Sequence, residues 1–204
     1  MICLGDTAIF FQIKERGDTP KKPTEERQIR WFNEKILGKA VDQMMGSLRT
    51  FETEKELDFW NLRKQRRKIR YSTLKNKHYI VLHHSKLYVF PRECYARKSQ
   101  KDETTNSFIH IMTATDWLNL CRYLVTIPDI IYYLSFREKY LKEIMDSRKE
   151  KEKWLLGRFL RSPQVPNIEL DCQSLDYSKW VDNLDTKDFI LEKFNLIIKS
   201  LGLV

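Results

Sequence analysis

Strand-forming residues follow a turn signal close to the N-terminus. Gly5-Asp6 predicts a tight turn, and the β-branched and aromatic residues after it predict a strand over residues 7–15. Successive side chains of a strand alternate between its faces, so Gln12 and Lys14 share one face, about 6.5 Å apart. Both faces are otherwise largely apolar. We therefore expect a central strand that is covered on both sides.

Apolar residues recur at spacings of three and four after Thr24, which is a good helix N-cap residue. This stripe predicts a helix over residues 25–50, with Gln43 on its polar face. Thr126 and Asp129 resemble a capping box and predict the start of a further helix. The other predicted elements are a short helix within 51–62, a hairpin of strands 78–83 and 86–90, a polar loop at 95–105, a strand at 107–112 and a helix capped by Thr113 or Thr115.

The order of these elements predicts an α/β fold with a mixed central sheet flanked by helices. We expect this domain to span residues 1–162, because Ser162-Pro163 and Pro166 interrupt the helical pattern. Residues 163–204 are predicted to form an acidic helical C-terminal extension, with a helix near 187–201. Such a helix is a candidate surface for a protein partner or for a homodimer.

The charge of the chain is unevenly distributed. Lys and Arg number 37 against 28 Asp and Glu, yet residues 165–204 hold four lysines and seven acids. The basic body favours nucleic acid as a partner, with DNA preferred. Its densest basic run can be either a phosphate-contacting loop or a solvated one. That run contains Arg63, Lys64, Arg66, Arg67, Lys68 and Arg70.

The strand ending in Gln12-Ile13-Lys14 resembles the core of the PD-(D/E)xK nuclease superfamily in its Gln-x-Lys variant. Ser107 to Glu138 is also similar to a segment of bacterial proteins that carry such a strand. The resemblance implies a restriction-endonuclease-like core and metal-dependent phosphodiester hydrolysis. In that core, the metal-binding Asp lies on the first strand of a hairpin, the Gln-x-Lys pair lies on the second strand, and a helix follows. It implies that Lys14 stabilises charge in the reaction, and that Gln12 is a catalytic residue and a ligand of Mg²⁺ or Mn²⁺.

The chain departs from that family where the metal-binding Asp belongs. A two-residue turn at Gly5-Asp6 would pair Leu4 with Thr7 and Ile2 with Ile9. In this register, the residue opposite Gln12 would lie two places before Met1. We therefore expect a nuclease core that is truncated at its N-terminus, with little or no cleavage activity. No cofactor is expected if the protein is inactive.

A non-catalytic interaction module is the alternative, with the basic face binding nucleic acid and the acidic helix binding a protein. The histidines favour no other enzyme: His83 and His84 point oppositely, His110 lies inside a strand, and His78 is expected at the surface. The cysteines are scattered, which argues against a zinc cage and suits a reducing cytoplasm. No apolar run of membrane-spanning length occurs.

Overall fold

The structure is a computed structural model that describes residues 1–17, 23–60, 64–85, 88–143 and 152–161. The chain divides into two compact units, Met1–Ala114 and Thr115–Val204. The strands are β1 (Ile2–Leu4), β2 (Thr7–Arg16), β3 (Glu56–Trp60), β4 (Arg66–Arg70), β5 (Asn76–Ser85), β6 (Ser99–Lys101) and β7 (Phe108–Thr113). The helices are α1 (Glu25–Phe32), α2 (Val41–Glu54), α3 (Arg92–Ala96), α4 (Ala114–Tyr123), α5 (Ile127–Glu143) and α6 (Glu152–Arg161), with a π-helical segment at Asn33–Ala40 and a 3₁₀ turn at Tyr71–Thr73.

A five-stranded mixed sheet forms the centre of the first unit, in the order β1-β2-β5-β7-β6. Strands β2, β5 and β7 run parallel to one another, while β1 and β6 are antiparallel to their neighbours. Strands β3 and β4 form a separate two-stranded ribbon. The predicted class, a mixed α/β fold with a mixed sheet flanked by helices, is thus confirmed. The predicted acidic extension over 163–204 lies outside the described residues.

The N-terminal hairpin has the predicted register, with Leu4 paired to Thr7 and Ile2 paired to Ile9. Gly5 has a positive φ of 58°, a conformation that glycine adopts without steric cost. Strand β1 pairs only with the first three residues of β2, whereas β5 pairs with all of β2. Ile13 is 64% exposed. The expectation that β2 is covered on both sides is therefore right for its first half and wrong at Ile13.

A single long helical stretch covers one face of the sheet. Helix α1 continues through the π-helical segment into α2, close to the predicted span of 25–50. Its buried residues recur at intervals of four, and a π-helix takes more residues per turn than an α-helix, which keeps such a row on one side. This row consists of Phe32, Ile36, Ala40, Met44 and Leu48, and it packs on Tyr79, Val81, Ile109 and Ile111 of the sheet.

Residues 88–90 form no strand, so the predicted hairpin of 78–83 and 86–90 is wrong in its second half. Both edges of β5 are already paired, one with β2 and the other with β7, which leaves no edge for an antiparallel partner. Phe90 instead turns inward and is buried, while Val89 is exposed. Residues 86–87 lie outside the described part of the chain.

Three further predictions are corrected around the ribbon and the predicted polar loop. The helix predicted within 51–62 stops at Glu54, and the chain continues as β3. Residues 66–70 of the basic run, predicted as a loop, form β4, because Ile69 joins Leu57 and Phe59 in a small apolar cluster. The predicted loop at 95–105 contains the end of α3 and the short strand β6.

The second unit contains the predicted capping box. The backbone N–H of Asp129 donates to Thr126 Oγ1 (3.2 Å), and Thr126 Oγ1 donates to Asp129 Oδ2 (2.9 Å). Within this unit Arg137 on α5 is fully buried and makes a two-pronged ion pair with Glu152 of α6, at 2.7 and 2.9 Å. Tyr133 also donates to Glu152 (2.5 Å), so the carboxylate is satisfied by two neighbours.

Replacing Ile80 with Ala should lower the free energy of unfolding by about 2–5 kcal/mol, because the side chain is fully buried on β5. Ile13→Ala is the matched control on the neighbouring strand, and its exposed side chain predicts a change within about 0.5 kcal/mol. Urea denaturation followed by circular dichroism measures both values. Equal losses for the two variants would contradict this assignment of the core.

Candidate functional site

Gln12 and Lys14 lie side by side on the helix-covered face of β2 and share one partner on α2. Lys14 Nζ donates to Gln43 Oε1 at 2.6 Å, and Gln12 Nε2 donates to the same oxygen at 3.3 Å. The prediction that Gln12 and Lys14 share a face is thus confirmed. Gln43, predicted on the polar face of the helix, is exposed, and its side chain also reaches this strand.

The packing of the long helix determines this arrangement. Met44 and Met45 next to Gln43 are buried against the sheet, which fixes the position of that turn of α2. Lys14 forms no ion pair with any carboxylate in the described part of the chain. Among the described residues, the positive charge of its ammonium group is therefore balanced only by the dipole of a neutral amide.

The donor set does not fit a divalent metal ion. Gln12 and Gln43 can offer only neutral amide oxygens, whereas Mg²⁺ prefers carboxylates with water or phosphate oxygens. The ammonium group of Lys14, 2.6 Å from Gln43 Oε1, would also repel a cation bound at that oxygen. Two N–H donors that converge on one oxygen atom suit an anion instead.

His83 is the cross-strand neighbour of Lys14 in the parallel pairing of β2 and β5. Its ring is buried and contacts Phe32 and Phe90 edge-on, with ring centroids 5.1 and 5.3 Å away. Burial in this aromatic surrounding, with a smaller contribution from His84, lowers the pKa of His83 to about 4. The imidazole is therefore neutral at pH 7, so Lys14 has no cationic neighbour at this position.

Cys94 on α3 belongs to the same buried cluster as Phe90. Burial, followed by the charge of Glu93, raises the pKa of this thiol to about 11. The thiolate is the nucleophilic form of cysteine, and it is scarcely populated at neutral pH here. Cys94 is thus a packing residue rather than a nucleophile.

The predicted nucleic-acid-binding residues lie mostly on the ribbon. Arg66, Lys68 and Arg70 share its outward face with Glu56 and Asp58, because paired residues point to the same side. Arg66 pairs with Asp58 (2.6 Å), Lys68 lies 3.8 Å from Glu56, and Arg70 also pairs with Glu56. Lys64 and Arg67 are exposed and form no ion pair within the described residues. Arg63 lies outside those residues.

Two residues of interest were missed by sequence reasoning. Trp60 is exposed at the end of β3, within a stretch that was predicted to be helical. His78, expected at the surface, is buried in β5, and its ring lies 6.1 Å from that of buried His110 on β7. The strand-forming residues after His78 are the one signal that could have indicated its position, since a strand often extends past its apolar core.

Comparisons of the chain with protein-family models, with curated proteins and with solved structures give no match. In the part of the chain that the structure describes, no helix combines the length and the apolar character that crossing a bilayer requires.

The low pKa of His83 predicts a loss of stability in acid. The folded state holds this ring neutral down to about pH 4, while the unfolded chain takes up the proton near pH 6.5. The unfolded state therefore binds more protons in this window, and stability falls as the pH drops from about 6.5 to about 4. His83→Leu should reduce this loss in urea titrations at several pH values.

The adjacent, exposed residue His84 provides the matched control. His84→Leu should keep most of the wild-type dependence of stability on pH, because the charge of His84 contributes less to the low pKa of His83 than burial does. If His83→Leu retained the full acid-induced loss, the titrating group would have to be sought elsewhere.

Proposed function

We propose that the protein is a nuclease-like nucleic-acid-binding protein in which Lys14 and Gln12 contact a backbone phosphate. The observation that carries this proposal is the convergence of Lys14 Nζ and Gln12 Nε2 on a single oxygen atom. Gln43 is exposed, so its side chain can swing away and a phosphate oxygen can take the place of its Oε1. An ammonium and an amide N–H would then donate to that oxygen.

The arrangement of the elements also favours a nuclease-like core. A hairpin leads into β2, the Gln-x-Lys pair lies on its second strand, and a helix follows. This is the order that the PD-(D/E)xK resemblance implies. The donors of Gln12, Lys14 and Gln43 do not fit Mg²⁺ or Mn²⁺. We therefore propose binding without efficient metal-dependent cleavage, with Lys14 neutralising phosphate charge.

The basic ribbon supplies a second set of phosphate contacts in the same unit. Its exposed ion pairs join side chains that remain in water, and such pairs contribute at most about 1 kcal/mol each. Nucleic acid can therefore replace the carboxylates at small cost. The described cysteines Cys3, Cys94 and Cys121 are free thiols, which suits the reducing cytoplasm where we place the protein.

Lys14→Ala should weaken binding of a labelled DNA duplex and reduce the slope of log K against log salt by about 0.9, the value for one lost phosphate contact. Fluorescence anisotropy at several salt concentrations measures both quantities. Lys39→Ala is the matched control, because this exposed lysine lies on the π-helical segment. A Lys14→Ala variant with wild-type affinity and slope would refute the proposed contact.

The same preparations should nick little or no plasmid in Mg²⁺ or Mn²⁺. Robust metal-dependent cleavage that Lys14→Ala leaves intact would show that the reactive site lies elsewhere. Cleavage that Lys14→Ala abolishes would overturn the conclusion that the donors at Gln12 do not fit a metal.

Reversing Arg66, Lys68 and Arg70 to Glu should weaken binding to all DNA sequences about equally and flatten the salt dependence, because phosphate contacts carry no sequence information. The matched control reverses three exposed cations of the same unit, Lys39, Arg49 and Lys101, for an equal change in net charge. An equal loss of affinity in both triple variants would mean that only the net charge matters.

A further inference from the structure

Trp60 stands at the end of β3 on the outward face of the ribbon, directly across from Arg66. Trp60 is 65% exposed, whereas Trp31, Trp117 and Trp154 are partly buried. An indole is the largest apolar side chain, and leaving it in water forgoes the stabilisation that burial would give. The position of Trp60 is thus costly for folding and open to a ligand.

The apolar residues on the opposite face of the ribbon anchor the strand that carries Trp60. Leu57, Phe59 and Ile69 pack into the cluster around Phe51, and the rings of Phe51 and Phe59 meet edge-on with centroids 6.1 Å apart. An aromatic side chain on an anchored strand loses little further freedom when a ligand stacks on it.

The charged residues next to Trp60 indicate the class of ligand that it binds. Arg66, Lys68 and Arg70 follow one another on the same face as Trp60, with Glu56 and Asp58 as their only acidic companions on that face of the described ribbon. An exposed aromatic ring beside a row of cations is the combination that binds single-stranded nucleic acid, since the ring stacks on a base and the cations follow the backbone.

We propose that Trp60 and Arg66 form a stacking site for an unpaired base of a single-stranded nucleic acid, whose adjoining phosphates contact Lys68 and Arg70. This inference rests on the proposed function and adds a preference for single strands. In a duplex, each base is already stacked between its neighbours, so the indole ring finds no free base face.

The test compares a mixed-sequence 20-mer of DNA, the same sequence as RNA, and the DNA duplex, by fluorescence anisotropy. Wild-type protein should bind at least one single strand more tightly than the duplex. Trp60→Ala should weaken that single-strand binding by about 5- to 150-fold and change duplex binding little, while Trp60→Phe should retain most of the affinity. Tyr132→Ala, which removes another exposed aromatic ring, should bind like wild type.

The possible results separate this inference from the proposed function. Equal weakening of single-strand and duplex binding by Trp60→Ala, or none, would overturn the stacking site while leaving the phosphate contacts of Lys14 in place. Absence of binding to all three probes by the wild-type protein would overturn both. Quenching of tryptophan emission by the single strand, lost in Trp60→Phe, would support stacking directly.

Discussion

The parallel pairing of β2 with β5 is the interaction on which the rest of the first unit depends. It runs without interruption from Thr7 paired with Asn76 to Arg16 paired with Ser85. Parallel neighbours cannot be joined by a tight turn, so the chain has to cross the sheet between them. The long helix makes this crossing and covers one sheet face, and in doing so it brings Gln43 to Lys14. The candidate site is therefore a product of the crossover.

Features that depend only on residues close together in the sequence were predictable from it. The register of the first hairpin follows from its two-residue turn, and the start of α5 follows from Thr126 and Asp129. The position of β4 was not predictable, since five of the six residues from Gln65 to Arg70 are polar and Ile69 alone indicates a buried side. That strand exists because Ile69 completes an apolar cluster with distant residues.

The same distinction between local and distant residues applies to the candidate site. The alternation of side chains on a strand was enough to predict that Gln12 and Lys14 share a face. Their partner Gln43 lies 31 and 29 residues away along the chain, and its direction depends on the phase of a helix that passes through a π-helical segment. A periodicity of 3.6 residues places Gln43 on the polar face, where it is indeed exposed, but it does not predict that the side chain also reaches Lys14.

The two acids of the ribbon have a consequence for any polyanion that binds there. Glu56 and Asp58 are tethered beside the cations, so they act as built-in competitors whose effective concentration does not fall on dilution. A single phosphate has to displace a carboxylate from the cation that it binds, so it gains little binding free energy. A polymer with several phosphates displaces both carboxylates in one binding event. The entropic cost of association is then incurred once for all of its contacts. The ribbon would then bind polymers more tightly than free nucleotides, and so discriminate between ligands by their length.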